Sequence, residues 1–158
     1  MVVRSFIWLI LIESGGPVLI VFPIICIVVA LCVMVHYEFL YQMTRLMPKI
    51  NIRHRLRIVL GVIGALIAHS VEIWIFAVAY HWLHHADDWG RLVGNFDGSL
   101  MASGYYSFTT FTTLGFGDIE PIGALRYLTG IESLAGLLLI TWSASFLYIE
   151  MVRYWDIE

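Results

Sequence analysis

Residues 100–118 read Leu-Met-Ala-Ser-Gly-Tyr-Tyr-Ser-Phe-Thr-Thr-Phe-Thr-Thr-Leu-Gly-Phe-Gly-Asp. The stretch is apolar, yet shorter than the ~20 helical residues that cross a bilayer. Asn95, Asp97 and Ser99 precede it, and all three residue types cap helix N-termini. This pattern predicts a short helix over residues 100–112, ending in a glycine-punctuated strand. Such a segment must enter a membrane and return on the same side. Non-helical backbone at that depth is tolerated only where protein buries it or water lines it. Residues 113–117 are therefore candidates to line a pore.

The flanks set this segment between membrane spans. Three apolar stretches are long enough to cross: residues 17–35 with a polar-flecked extension to 47, residues 58–82, and residues 125–151. Pro17 suits a first helical position, where a missing N–H costs nothing. Residues 6–12 are too short to span and read as interfacial or as a cap on the first helix; they do not resemble a signal peptide. The predicted fold is an all-α membrane protein: three transmembrane helices, with a re-entrant pore helix and filter-like segment between the second and third. Residues 1–57 form an N-terminal segment with a peripheral helix and a basic loop, and residues 58–158 form a pore domain.

Composition agrees. The 158 residues are 60% hydrophobic and 13% charged, with a mean hydropathy of +0.84. Soluble domains run nearer ~25% charged, which excludes that class. A net charge of -3 does not suggest a nucleic-acid partner, and no basic run lies outside one short loop. Cys26 and Cys32 lie six apart, off a common helix face, and imply neither a disulfide framework nor a metal spacing. Arg45, Lys49, Arg53, Arg55 and Arg57 fall within residues 44–57, five of the nine basic residues. By the positive-inside rule that loop is cytoplasmic, with the N-terminus outside and the C-terminus inside.

The chemistry of residues 113–117 suits a dehydrated cation. A row of inward carbonyls can replace an ion's hydration shell. Aiming successive carbonyls one way requires backbone alternating between right- and left-handed conformations. Gly115 and Gly117 enter the left-handed region without a Cβ penalty. Thr113 adds a hydroxyl at the inner end. The preceding helix points its negative C-terminal dipole toward the same place.

Thr112-Thr113-Leu114-Gly115-Phe116-Gly117-Asp118 resembles the potassium-channel signature Thr-Thr-Val-Gly-Tyr-Gly-Asp. Residues 105–111 resemble that family's pore helix, with its aromatic pair, Tyr105 and Tyr106, and a serine. The resemblance covers residues 58–151 and leaves out the first span. It implies that Thr113, Leu114, Gly115 and Phe116 hold K+ by carbonyl, with Thr113 also using its hydroxyl. Gly117 completes the ion-binding run, and Thr112, Asp118, Tyr105 and Tyr106 support it. It further implies a homotetramer in the lipid bilayer, since one such segment per chain cannot close a ring. The sequence departs from the pattern in three places. Phe116 lacks the commoner tyrosine's hydroxyl, Leu114 replaces valine, and Thr109 stands where some members carry a glutamate that pairs with the filter aspartate. That last change leaves Asp118 without its usual partner.

Other residues admit two readings. Gly136 matches the family's hinge glycine, or is a small residue for close helix packing. Leu137, Ile140, Thr141 and Ala144 follow at helical spacing and should line a cavity; Tyr148, Met151 and Val152 are candidates for an inner constriction. Glu72 and Glu132 are intramembrane acids, each a functional hypothesis or helix–helix glue. Glu132 falls level with the filter and is read as a buttress to pore-helix hydroxyls such as Thr109 or Thr112. Glu72 lies three residues after His69, on one face, where the pair bonds to each other or to the first span. His81, His84 and His85 with Asp87 and Asp88 form an external cluster, read as a solvated helix end, with metal chelation or block by protons or divalent ions as the sharper alternative. Trp74, Tyr80 and Trp142 read as packing residues.

The first span has no arginine repeat of the voltage-sensing kind. No P-loop, nucleophile elbow or HExxH motif is present, so no enzyme is expected. The expectation is a potassium-selective channel with K+ as permeant ion, no cofactor, no small-molecule substrate and no nucleic acid. Compact loops and no organelle signal suggest a prokaryotic plasma membrane. The rivals are a poorly selective cation channel of the same fold, a non-conducting scaffold, or an intramembrane enzyme using His69, Glu72 and Glu132.

Overall fold

A computed structural model describes residues 15–49, 54–86 and 89–154. The chain runs α1 (Gly15–Leu46), a 3-10 turn (Met47–Lys49), α2 (His54–His85), β1 (Arg91–Gly94), α3 (Leu100–Phe111), β2 (Ile119–Ile122) and α4 (Leu125–Tyr154). α1, α2 and α4 are each long and apolar enough to cross a membrane. The fold is all-α in its spans, as expected. The apolar run at residues 6–12 lies outside the described residues.

Each long helix outruns its apolar run. α1 continues through Arg45, and α2 begins at His54, so Arg55 and Arg57 stand in its first turn rather than in a loop. Hydropathy marks the apolar run, while the backbone hydrogen-bond ladder continues past its polar ends. Pro17 falls in the first turn of α1, and Pro23 inside the helix. The lost backbone bond at Pro23 is the kind that membrane helices tolerate.

Val21, Ile25, Val28 and Cys32 recur on one face of α1 at helical spacing and are buried. They join Ile73, Phe76, Tyr80 and Leu83 of α2 and Leu125, Leu128, Ala135 and Leu139 of α4 in one core. Away from that stripe α1 exposes large apolar side chains, with Phe22 and Ile27 each 66% exposed.

One element was not anticipated. β1 and β2 pair antiparallel, Arg91 opposite Ile122 and Gly94 opposite Ile119. The ladder closes onto the filter-like segment, because Asn95 N–H donates to the Asp118 carbonyl at 2.9 Å. Leu92 N–H donates to His84 Nδ1 at 3.1 Å, which ties the ladder to the end of α2.

Candidate selectivity filter

α3 starts as its sequence predicts. Ser99 is extended, at φ -75° and ψ 156°, and its hydroxyl accepts from Ala102 N–H at 3.0 Å. Asp97 accepts from Ser99 N–H at 2.9 Å, and hydrogen bonding from Ser99 holds its carboxyl below the usual range. α3 ends at Phe111, with Thr112 as its C-cap.

Beyond the cap the chain forms no strand. Thr113 N–H donates to the Thr110 carbonyl at 2.9 Å, and the N–H groups of Leu114 and Gly115 both converge on the Thr109 carbonyl, at 2.8 and 3.1 Å. The N–H groups of Thr113, Leu114 and Gly115 are thus absorbed by the end of α3. Positive φ falls on every second residue: +59° at Thr113, +54° at Gly115 and +77° at Gly117. This is the alternation that turns successive carbonyls the same way. The glycines adopt it freely, but Thr113 is β-branched, and left-handed backbone there carries strain of about 1–3 kcal/mol. Strain of this kind persists where surrounding structure over-determines it.

Two partners differ from those the sequence points to. Asp118 has no glutamate beside it, and Tyr105 instead donates its hydroxyl to the Asp118 carboxylate at 3.0 Å. The Tyr105 ring also stacks on Phe116, with centroids 6.4 Å apart. A tyrosine one turn earlier in α3 takes the place left by Thr109, whose hydroxyl turns back to the Tyr106 carbonyl. Glu132 does not reach Thr109 or Thr112. It is fully buried, with Ser107 Oγ at 2.5 Å from one oxygen and the Tyr80 hydroxyl at 2.6 Å from the other. Tyr80, read from sequence as packing, is therefore a polar partner as well.

Ser107 and Tyr80 are each placed to donate to Glu132, and Ser107 also lies 2.8 Å from the Ile73 carbonyl. Ser107 has one hydroxyl proton, so a protonated Glu132 would let it meet both contacts at once. Tyr106 bonds the Thr129 hydroxyl at 2.9 Å, which itself donates to the Leu125 carbonyl. Each hydroxyl in this network has a partner, and the network joins α2, α3 and α4.

Gly136 sits where α4 crosses the end of α3. A Cβ there would collide with the Phe111 carbonyl and crowd its ring, so close packing requires glycine. α4 runs unbroken through it. One turn earlier, Ser133 donates to the Thr110 carbonyl at 3.3 Å. Leu137, Ile140, Thr141 and Ala144 are exposed in the single chain, on the part of α4 beyond the filter.

His81, His84 and His85 stand at the end of α2. His84 accepts from Leu92, and His85 Nδ1 contacts the His81 carbonyl at 2.7 Å. Asp87 and Asp88 lie outside the described residues. His69 and Glu72 do pair, at 2.9 Å, and His36 of α1 joins them. Sequence reading passed over His36, although an ionisable residue inside a span was the available signal. Glu132 belongs to a different network, so the three residues of the enzyme alternative do not converge.

The fold and this segment define a multi-pass membrane protein of the channel class. A family model described as Ion channel matches residues 68–153, more than half of the chain, from α2 through the filter segment to α4. The chain belongs to this ion-channel family. α1 lies outside the matched region. No curated protein and no solved structure matches the chain.

Proposed function

We propose that the chain assembles as a homotetramer that conducts potassium selectively through a ring of Thr113, Leu114, Gly115 and Phe116 carbonyls. The observation that carries this reading is the left-handed backbone at every second position of Thr113–Gly117, with the N–H groups of its first three residues turned back into α3. Dehydrated potassium needs closely spaced oxygens in place of its water. Leu114 and Phe116 are 60% and 64% exposed in one chain. Neighbouring subunits around a fourfold axis would cover them and complete the ring. Asp118, Tyr105 and the Glu132 network would hold the outer end and the back of the filter.

Protein purified into liposomes with potassium on one side and sodium on the other tests the reading. The expected reversal potential follows the potassium gradient. Comparable sodium and potassium permeabilities would instead support the poorly selective channel, and no flux would support the scaffold.

The basic segment around Arg45–Arg57 supports an N-out, C-in orientation in a plasma membrane. A cysteine at position 3, in a chain whose Cys26 and Cys32 are replaced by alanine, should react with an impermeant thiol reagent from the outside. Labelling only from the cytoplasmic face would overturn the orientation.

A further inference from the structure

We propose that His36, His69 and Glu72 form a divalent transition-metal site, of the zinc class, that fastens α1 to the pore domain. His36 Nδ1 lies 2.8 Å from one carboxylate oxygen of Glu72, and His69 Nδ1 lies 2.9 Å from the other. The three ligand atoms all fall within 4.8 Å of one another. His36 and Glu72 are fully buried, and the side chain of His69 is 14% exposed.

Two imidazole nitrogens and a carboxylate are a common zinc donor set, with ligand distances of about 2.0–2.2 Å and a fourth position left open. Tetrahedral ligands at that distance stand about 3.3 Å apart, so the contacts to Glu72 would open by a few tenths of an ångström while the three ligand atoms, now within 4.8 Å of one another, draw around one ion. A ligating histidine also needs its second ring nitrogen oriented by a partner. His36 Nε2 has Ser143 Oγ of α4 at 3.4 Å, and a hydroxyl there can accept from the Nε2–H that metal binding at Nδ1 requires.

The placement gives the site a consequence. His36 comes from α1, outside the matched family region, whereas His69 and Glu72 lie within it. The His36 ring packs against Trp142 of α4 at 5.2 Å, and the His69 ring against Phe111, the last residue of α3, at 5.8 Å. A bound ion would clamp the added helix to the base of the pore helix.

Metal content of the purified full chain tests this independently of conduction, so failure here leaves the potassium reading standing, and the reverse. The protein is stripped with chelator, equilibrated with micromolar zinc and washed. One zinc per subunit is expected, with affinity at least about tenfold weaker in His36→Ala and Glu72→Gln. The double variant His81→Ala, His85→Ala should keep its zinc, because those rings lie at the outer end of α2. Zinc lost with the outer pair alone, retained in full by His36→Ala, or never bound by the unmodified chain would overturn the proposal. Should either inner variant fail to fold, cobalt added to the unmodified chain gives the answer without substitution. Strong visible bands of tetrahedral nitrogen and oxygen ligation are expected, and the weak spectrum of hydrated cobalt would overturn the site.

Discussion

Gly115→Ala should abolish potassium conduction while leaving an assembled, folded protein. Gly115 sits at φ +54°, and a Cβ there meets nothing within 4 Å inside its own chain. The penalty is therefore conformational. An L-residue in the left-handed region costs roughly 1–2 kcal/mol, and Thr113 already occupies that region two residues earlier. In a tetramer the cost is repeated four times around one ring, about 4–8 kcal/mol in all. A shift of ~5.5 kcal/mol suffices to take a two-state equilibrium from almost wholly one state to almost wholly the other. Flux assays on reconstituted protein, with tetramer content checked by cross-linking, measure the effect. D-alanine at the same position, introduced by semisynthesis, prefers positive φ and should conduct. Normal currents from the L-alanine protein would show that the alternating backbone is not the conducting geometry.

Glu132→Val should have the second-largest effect, and Glu132→Gln almost none. Valine leaves Ser107 and Tyr80 with their shared partner gone, in a place no water reaches. Losing a buried partner costs about 1–3 kcal/mol, here once per subunit. Expected results are a lower tetramer melting temperature and a loss of potassium selectivity. Glutamine can donate its amide to Ser107 and accept from Tyr80, which is the bonding that a neutral Glu132 makes. Its currents and stability should therefore stay close to those of the native chain. Infrared difference spectra between the native and glutamine proteins should show the carbonyl stretch of a protonated carboxylic acid in the former. If valine conducts with unchanged selectivity and stability, Glu132 does not support the filter. If glutamine is as damaging as valine, the proton has been placed wrongly.

The three spans, the short helix between the second and third, and the left-handed backbone at Gly115 and Gly117 are legible in the residues alone. Each rests on a local rule: a run length that matches the bilayer, a capping serine at 99, and residues without a Cβ. The sequence could not show Thr113 in the same conformation, because nothing about an isolated threonine favours positive φ. That came from the convergence of the Leu114 and Gly115 N–H groups on one carbonyl of α3. The β1–β2 ladder was hidden for a similar reason. Four residues such as Arg91–Gly94 carry too little pattern to reveal a strand, and pairing is set by the closure at Asn95 and Asp118. The depth of Glu72 and Glu132 was legible as a count of residues along a helix. Their partners were not, since Tyr80, Ser107 and His36 stand on other helices or other turns. Which hydroxyl or imidazole meets which carboxyl depends on how the helices are rotated about their axes. A close approach such as Gly136 against Phe111 sets that rotation, and it exists only once the helices have packed.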